Sequence, residues 1–192
     1  MMQDNVVYAN RTVTDSIKQI QDILNNKEDP NAGFDDVLKD YEEKWQQMQA
    51  DYRQLQANGS KSNLTQSDLN YLQSEVNGIQ SDFNGIVSSD NGMRSVTNGV
   101  ASSVSYIQRA MQSLQNNFDN LQKAVSANTT GMPQSQYSQD DINKYLNTVQ
   151  QRIDKINQVR DAKLNIGTEY HNKAQKLLED AKQYVSSKRS NK

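Results

Sequence analysis

The sequence has no cysteine, one histidine and two prolines. Without thiols there can be no disulfide, thiolate metal site or cysteine nucleophile. The single imidazole, His171, cannot build a histidine-based metal site, and no serine and acid are spaced to make a triad with it. Apolar residues are scarce, at 34% with a mean hydropathy of −0.95. That is lean for a globule but suits an elongated bundle with a narrow core. No run approaches the roughly 18 apolar residues of a membrane-crossing helix. The opening MMQDNVVYANRTVTDS has neither the basic nor the apolar segment of a Sec signal. With 21 bases against 23 acids, the chain lacks the basic excess that nucleic-acid binding needs.

Motif chemistry is equally sparse. There is no phosphate loop, dinucleotide fingerprint or EF-hand spacing. The acid pairs Asp35/Asp36, Glu42/Glu43 and Asp140/Asp141 are sequence neighbours. On a helix such neighbours point about 100° apart, which makes poor catalytic dyads. These absences predict a non-enzymatic protein with no cofactor and no metal.

A seven-residue repeat is what the chain does have. Ser67 to Gln108 reads SDLNYLQ, SEVNGIQ, SDFNGIV, SSDNGMR, SVTNGVA, SSVSYIQ. With Leu69 at a and Leu72 at d, the a series runs Leu69, Val76, Phe83, Asp90, Thr97, Val104, Met111, Phe118 and Val125. The d series runs Leu72, Ile79, Ile86, Met93, Val100, Ile107, Leu114 and Leu121. Only Asp90 and Thr97 break the apolar seam, which predicts one long helix. Asn-Gly pairs can also mark hairpins. Here the intervening segments do not alternate, and the seam passes through all four pairs without a slip.

The four glycines cost such a helix about 0.8–1 kcal/mol each against alanine. Asn falls at b, Gly at c and Ser at f, all facing away from the seam. The resulting strip comprises Ser74, Asn77, Gly78, Ser81, Asn84, Gly85, Ser88, Asn91, Gly92, Ser95, Asn98 and Gly99. Three readings fit it: a solvated face, a surface on which a second helix packs closely, or a softened mid-helix region.

Taken in order, the chain predicts an all-α fold and a single domain over 1–192. Helix A covers 4–26, with Val6, Val13, Ile17, Ile20 and Leu24 on one edge. Helix B covers 34–57, with Phe34, Leu38, Tyr41, Trp45, Met48, Tyr52 and Leu55 as its seam. Helix C covers 65–126 and opens on the capping box Thr65-Gln-Ser-Asp68; helix D covers 138–187 and opens on Ser138-Gln-Asp-Asp141. The expected loops hold Asn26, Asp29 and Pro30, then Gly131 and Pro133. In helix D, Arg160, Lys163 and Gly167 interrupt an apolar seam, which predicts a stutter or a change of partner. Trp45, Phe83 and Phe118 are the expected core anchors. Short loops make this an elongated antiparallel bundle of three to four helices around a central helix of about 60 residues. Residues 1–63 carry 11 acids and 7 bases, and residues 138–192 carry 7 acids and 11 bases. The two thirds should therefore attract each other weakly.

Function is then expected to lie in contacts with protein: a structural or interaction protein that binds copies of itself, as a homo-oligomer, or partner helices. In its long seam, neutral faces, missing cysteine and polar start the chain resembles the leaderless coiled-coil proteins of type III secretion. That resemblance implies export without a Sec signal. The helical-hairpin substrates of type VII secretion carry Trp-X-Gly in a turn, whereas Trp45 is followed by Gln46 and Gln47 inside a helix. A cytosolic coiled-coil adaptor or chaperone-like protein is the alternative. A membrane partner is not expected, because no broad basic face or spare bulky apolar face is present. The basic tail from Lys173 to Lys192 fits the C-terminal end of a helix.

Overall fold

A computed structural model of the chain describes residues 2–25, 29–127 and 134–191. Four helices, α1 (Met2–Asn25), α2 (Gly33–Gly59), α3 (Gln66–Ala127) and α4 (Gln139–Ser190), hold nearly all of them. The protein is all-α: no strand occurs among the described residues, and the Asn-Gly repeat lies within α3. The described helix ends fall within three residues of the predicted ones. Asn26, Gly131 and Pro133 lie outside the described residues.

Both predicted capping boxes close. Thr65 Oγ1 accepts from the Asp68 N–H at 3.1 Å, and Asp68 Oδ2 accepts from the Thr65 N–H at 2.9 Å. Those bonds, the backbone one first, hold the Asp68 carboxyl below its ordinary range. At α4, Ser138 Oγ accepts from the Asp141 N–H at 3.0 Å and Asp141 Oδ2 from the Ser138 N–H at 3.5 Å. Each box satisfies two of the amide donors that a helix start leaves open.

The sequence suggested one domain; the chain divides into two compact units. The first is Met1–Pro30 with Gly99–Gln158, and the second is Asn31–Asn98 with Val159–Lys192. Each is a three-helix arrangement to which α3 and α4 both contribute. In the first, Val6, Val13 and Ile20 of α1 are buried with Val100, Ile107, Leu114, Phe118 and Leu121 of α3 and Ile142, Val149 and Ile153 of α4. Polar bonds complete the docking of α1. Asn10 is 5% exposed; its Oδ1 accepts from the Gln136 N–H at 2.9 Å, and its Nδ2 donates to the Gln134 carbonyl at 3.0 Å. Asn117 Nδ2 donates to Ser16 Oγ at 2.7 Å.

In the second unit Phe34, Tyr41, Met48 and Leu55 of α2 are buried. They pack with Leu69, Leu72, Val76, Ile79, Ile86 and Met93 of α3 and with Ala174, Leu178, Ala181 and Val185 of α4.

The buried stripe of α3 is wider than an a/d seam. All eight d residues from Leu72 to Leu121 are buried. Several a residues (Phe83, Asp90, Thr97, Met111, Val125) are half-buried, while the g residues Ser89 and Ala110 are buried. A helix flanked by two neighbours presents a broad stripe, here centred on d. The a side meets α4, where Phe83 lies edge-on to His171 at 5.5 Å. The g side meets α1 through Asn117 and α2 through Glu75, whose Oε1 accepts from Asn58 Nδ2 at 2.5 Å.

The same sequence offset recurs within each unit. In the first, Tyr145 donates to the Ile17 carbonyl at 3.3 Å and Arg152 to the Leu24 carbonyl at 3.1 Å. In the second, Lys163 pairs with Asp35 at 3.2 Å, Tyr170 bonds Glu42, and Tyr184 donates to the Gln56 carbonyl at 3.1 Å. All five pairs are separated by 128 residues. Helix α4 therefore runs parallel to its partner in each unit. That partner changes from α1 to α2 between Arg152 and Lys163, within the interval where its apolar seam was expected to break. Gly167 is buried there, fourteen residues on from Ile153, so the phase itself holds.

Candidate functional site

The polar interruption of the α3 seam sits in the second unit. Asp90 is an a residue and so faces inward. Tyr41 Oη of α2 donates to its Oδ1 at 2.5 Å, and His171 Nδ1 of α4 lies 2.7 Å from its Oδ2. One carboxylate thus ties three helices together. Tyr41 stacks on Tyr170 at 5.6 Å with the ring planes 6° apart. The Tyr170 hydroxyl donates to Glu42. Burial, then the bond to Asp90, raises the Tyr41 pKa. The bond to Glu42, then burial, pushes Tyr170 up to about 12. Glu42 is held below its ordinary range, first by Tyr170 and then by Gln46.

Gly167 makes room for this layer. A Cβ there would lie 2.7 Å from Met93 Cε and 3.3 Å from Tyr41 Cε2. Beside it is an open cavity of about 270 Å³ bordered by Arg94, Leu164, Thr168 and His171. Of its lining, Arg94 donates one bond to Asn91 Oδ1 at 3.0 Å and Thr168 donates to the Leu164 carbonyl at 3.1 Å. Chemically this layer is a set of matched hydrogen bonds that fixes which residues of three helices face one another. The sequence placed Asp90 on the α3 seam and His171 beside Tyr170 on the last helix, and did not join them. The available signal was a carboxylate at an a position of one helix and the lone imidazole on another.

The anchors divide. Phe118 is 1% exposed. Trp45 and Phe83 are half-buried at the margins, and Tyr41 and Phe34 are the large buried aromatics of α2.

The strip on α3 faces outward. Ser74, Asn77, Gly78, Ser81, Asn84, Ser88, Asn91, Ser95, Asn98 and Gly99 are exposed. Nothing lies within 4 Å of a Cβ built on Gly78 or Gly99. Gly85 and Gly92 are half-buried instead: the Lys44 stem would be 3.0 Å from a Cβ at Gly85, and Val37 Cγ2 would be 3.4 Å from one at Gly92. The strip's amides are bridged along the helix, Gln73 Nε2 donating to Asn77 at 3.3 Å and Gln80 Nε2 to Asn84 at 3.2 Å. Tyr71 and Tyr106, at c positions beyond the outermost glycines, are 57% and 51% exposed. In the first unit Tyr106 borders a groove of about 490 Å³ with Lys18, Asp22 and Ile23 of α1.

No helix among the described residues is long and apolar enough to cross a membrane. The chain matches no known family model, no curated protein and no solved structure.

Proposed function

We propose that the protein is a non-enzymatic assembly subunit that works by packing the outer face of α3 against a second copy or against helices of a partner. The observation that carries this reading is the uncharged character of that face. From Ser67 to Tyr106 the b, c and f positions hold only Ser, Asn, Gly and Tyr, with no carboxylate, lysine, arginine or histidine among them. Solvent-facing helix surfaces ordinarily carry mixed charges that keep chains apart. Here small side chains permit close approach, and exposed Tyr71 and Tyr106 supply aromatic contact area, the residue type favoured at interfaces. The absence of thiols suits an exported or appendage-associated setting, in which free cysteines would oxidise.

The test is a triple variant, Ser81→Lys with Ser88→Lys and Ser95→Lys. All three sites are exposed f positions, so helicity and thermal stability should stay close to those of the parent. Association should be lost, as read by light scattering and chemical cross-linking. Association undiminished by three added charges would remove the strip from the account.

A further inference from the structure

The chain contains five Asn-Gly steps, at 58–59, 77–78, 84–85, 91–92 and 98–99. Such a step carries a reaction of its own. The glycine backbone nitrogen can attack the carbonyl carbon of the asparagine side chain, because glycine has no side chain to stand in the way. In a helix two things oppose the attack. The glycine N–H is bonded to the carbonyl four residues back, and the asparagine amide is held wherever a neighbour bonds it.

The five steps differ in both respects. Asn77 and Asn84 each accept from a glutamine one turn earlier, Gln73 at 3.3 Å and Gln80 at 3.2 Å. Asn91 accepts from Arg94 at 3.0 Å, and Asn58 donates to Glu75 at 2.5 Å. One turn before Asn98 the glutamine is replaced by Arg94, which bonds Asn91 instead. The Asn98 amide therefore has no hydrogen-bond partner among the described residues. The glycines divide too. A Cβ at Gly59, Gly85 or Gly92 would meet Tyr184, Lys44 or Val37, whereas Gly78 and Gly99 face open space. A free amide and an open glycine coincide at 98–99 alone. The helix is also weak there. Val96, Thr97, Asn98, Gly99 and Val100 are five consecutive poor helix formers. Thr97 Oγ1 bonds back to the Met93 carbonyl at 2.8 Å, in competition with the helix's own ladder.

We infer that Asn98 is a site of spontaneous covalent modification, the point at which the uncharged face of α3 acquires charge. The Gly99 nitrogen forms a bond to Asn98 Cγ and gives its proton to solvent base, and the Asn98 side-chain nitrogen leaves as ammonia. Water then opens the five-membered imide at either carbonyl. The product is aspartate in the normal chain, or isoaspartate with the backbone routed through the side chain. In sum, amide and water become carboxylic acid and ammonia, with nothing oxidised or reduced. Either product ionises and places one negative charge at an exposed b position. That this charge opposes assembly rests on the α3 contact proposed above; the reaction itself does not.

The test is peptide mass mapping of the full chain after incubation in mildly alkaline buffer, beside a sample unfolded in urea. In the folded chain Asn98 should convert ahead of Asn58, Asn77, Asn84 and Asn91 by about fivefold, the factor that one ordinary hydrogen bond is worth. In urea the five should convert at similar rates. Gly99→Ala, whose Cβ has open space, should slow conversion at Asn98 and leave the other four unchanged. No conversion of Asn98 in the folded chain, another step converting as fast, the same order of rates in urea, or a rate untouched by Gly99→Ala would each overturn the assignment. Asn98→Asp, compared with the parent by light scattering, reads the consequence: association should weaken by about two- to fivefold. Equal association of the two would overturn the effect on assembly. A parent that does not associate would remove the α3 contact, and mass mapping would still decide Asn98.

Discussion

Glycine at otherwise similar helical positions has opposite meanings in this chain. Gly78 faces open space, so Gly78→Ala should simply recover helix propensity and stabilise the protein by about 1 kcal/mol. Gly59, the last residue of α2, would place a Cβ 2.6 Å from the Tyr184 ring, whose hydroxyl bonds the Gln56 carbonyl. Gly59→Ala should therefore destabilise by about 1–2 kcal/mol through overpacking. Urea denaturation of the two variants checks the contrast, and equal shifts would contradict it. Asp90 offers a second comparison. Asp90→Ala leaves Tyr41 and His171 without their acceptor and should cost about 1–3 kcal/mol; Tyr41→Phe, which removes one donor and keeps the ring stack, should cost less. The sequence put Asp90 at odds with an apolar seam, and that residue bonds Tyr41 and His171. The sequence could not say that Asp90 reaches both α2 and α4, because that depends on two registers at once. Trp45 and Phe83 are half-buried, because size alone does not place a residue at the centre of a stripe.

At the scale of the helix, periodicity was highly legible. Four helices, two capping boxes and the inward d series follow from spacing and cap chemistry alone. The width of the α3 stripe did not follow, because it is set by the number of neighbours and not by the helix itself. The difference is measurable. An a/d seam alone leaves Ala110, a g residue, at its edge, yet it is 6% exposed. Ala110→Lys should cost about 2 kcal/mol or more by forcing a charged stem between α3 and its neighbour. Asn116→Lys, on the exposed side of the same helix, should stay within about 0.5 kcal/mol of the parent. Thermal melts that rank these two the other way would refute the stripe. The acids on the g side, Glu75 and Asp82, fall within the same broad stripe and are half-buried.

At the scale of the whole chain, charge was expected to draw the acidic first third and basic last third together. Tyr145, Arg152 and Tyr184 of α4 donate instead to backbone carbonyls of α1 and α2, and Lys163–Asp35 is an ion pair between α4 and α2. Asp35 is 75% exposed in that pair, so it contributes little. Register is carried by apolar burial and, in the second unit, by the bonds of Asp90 to Tyr41 and His171. The b, c and f positions of α3 from Ser67 to Tyr106 carry no acid, lysine or arginine, and association through them is the central claim. Light scattering on a size-exclusion run of the purified chain, across about a hundredfold range of concentration, tests it most directly. Mass should rise with concentration above the 21.8 kDa of one chain, and the triple lysine variant should hold at that mass. A parent chain that remains at 21.8 kDa throughout would contradict self-association through α3.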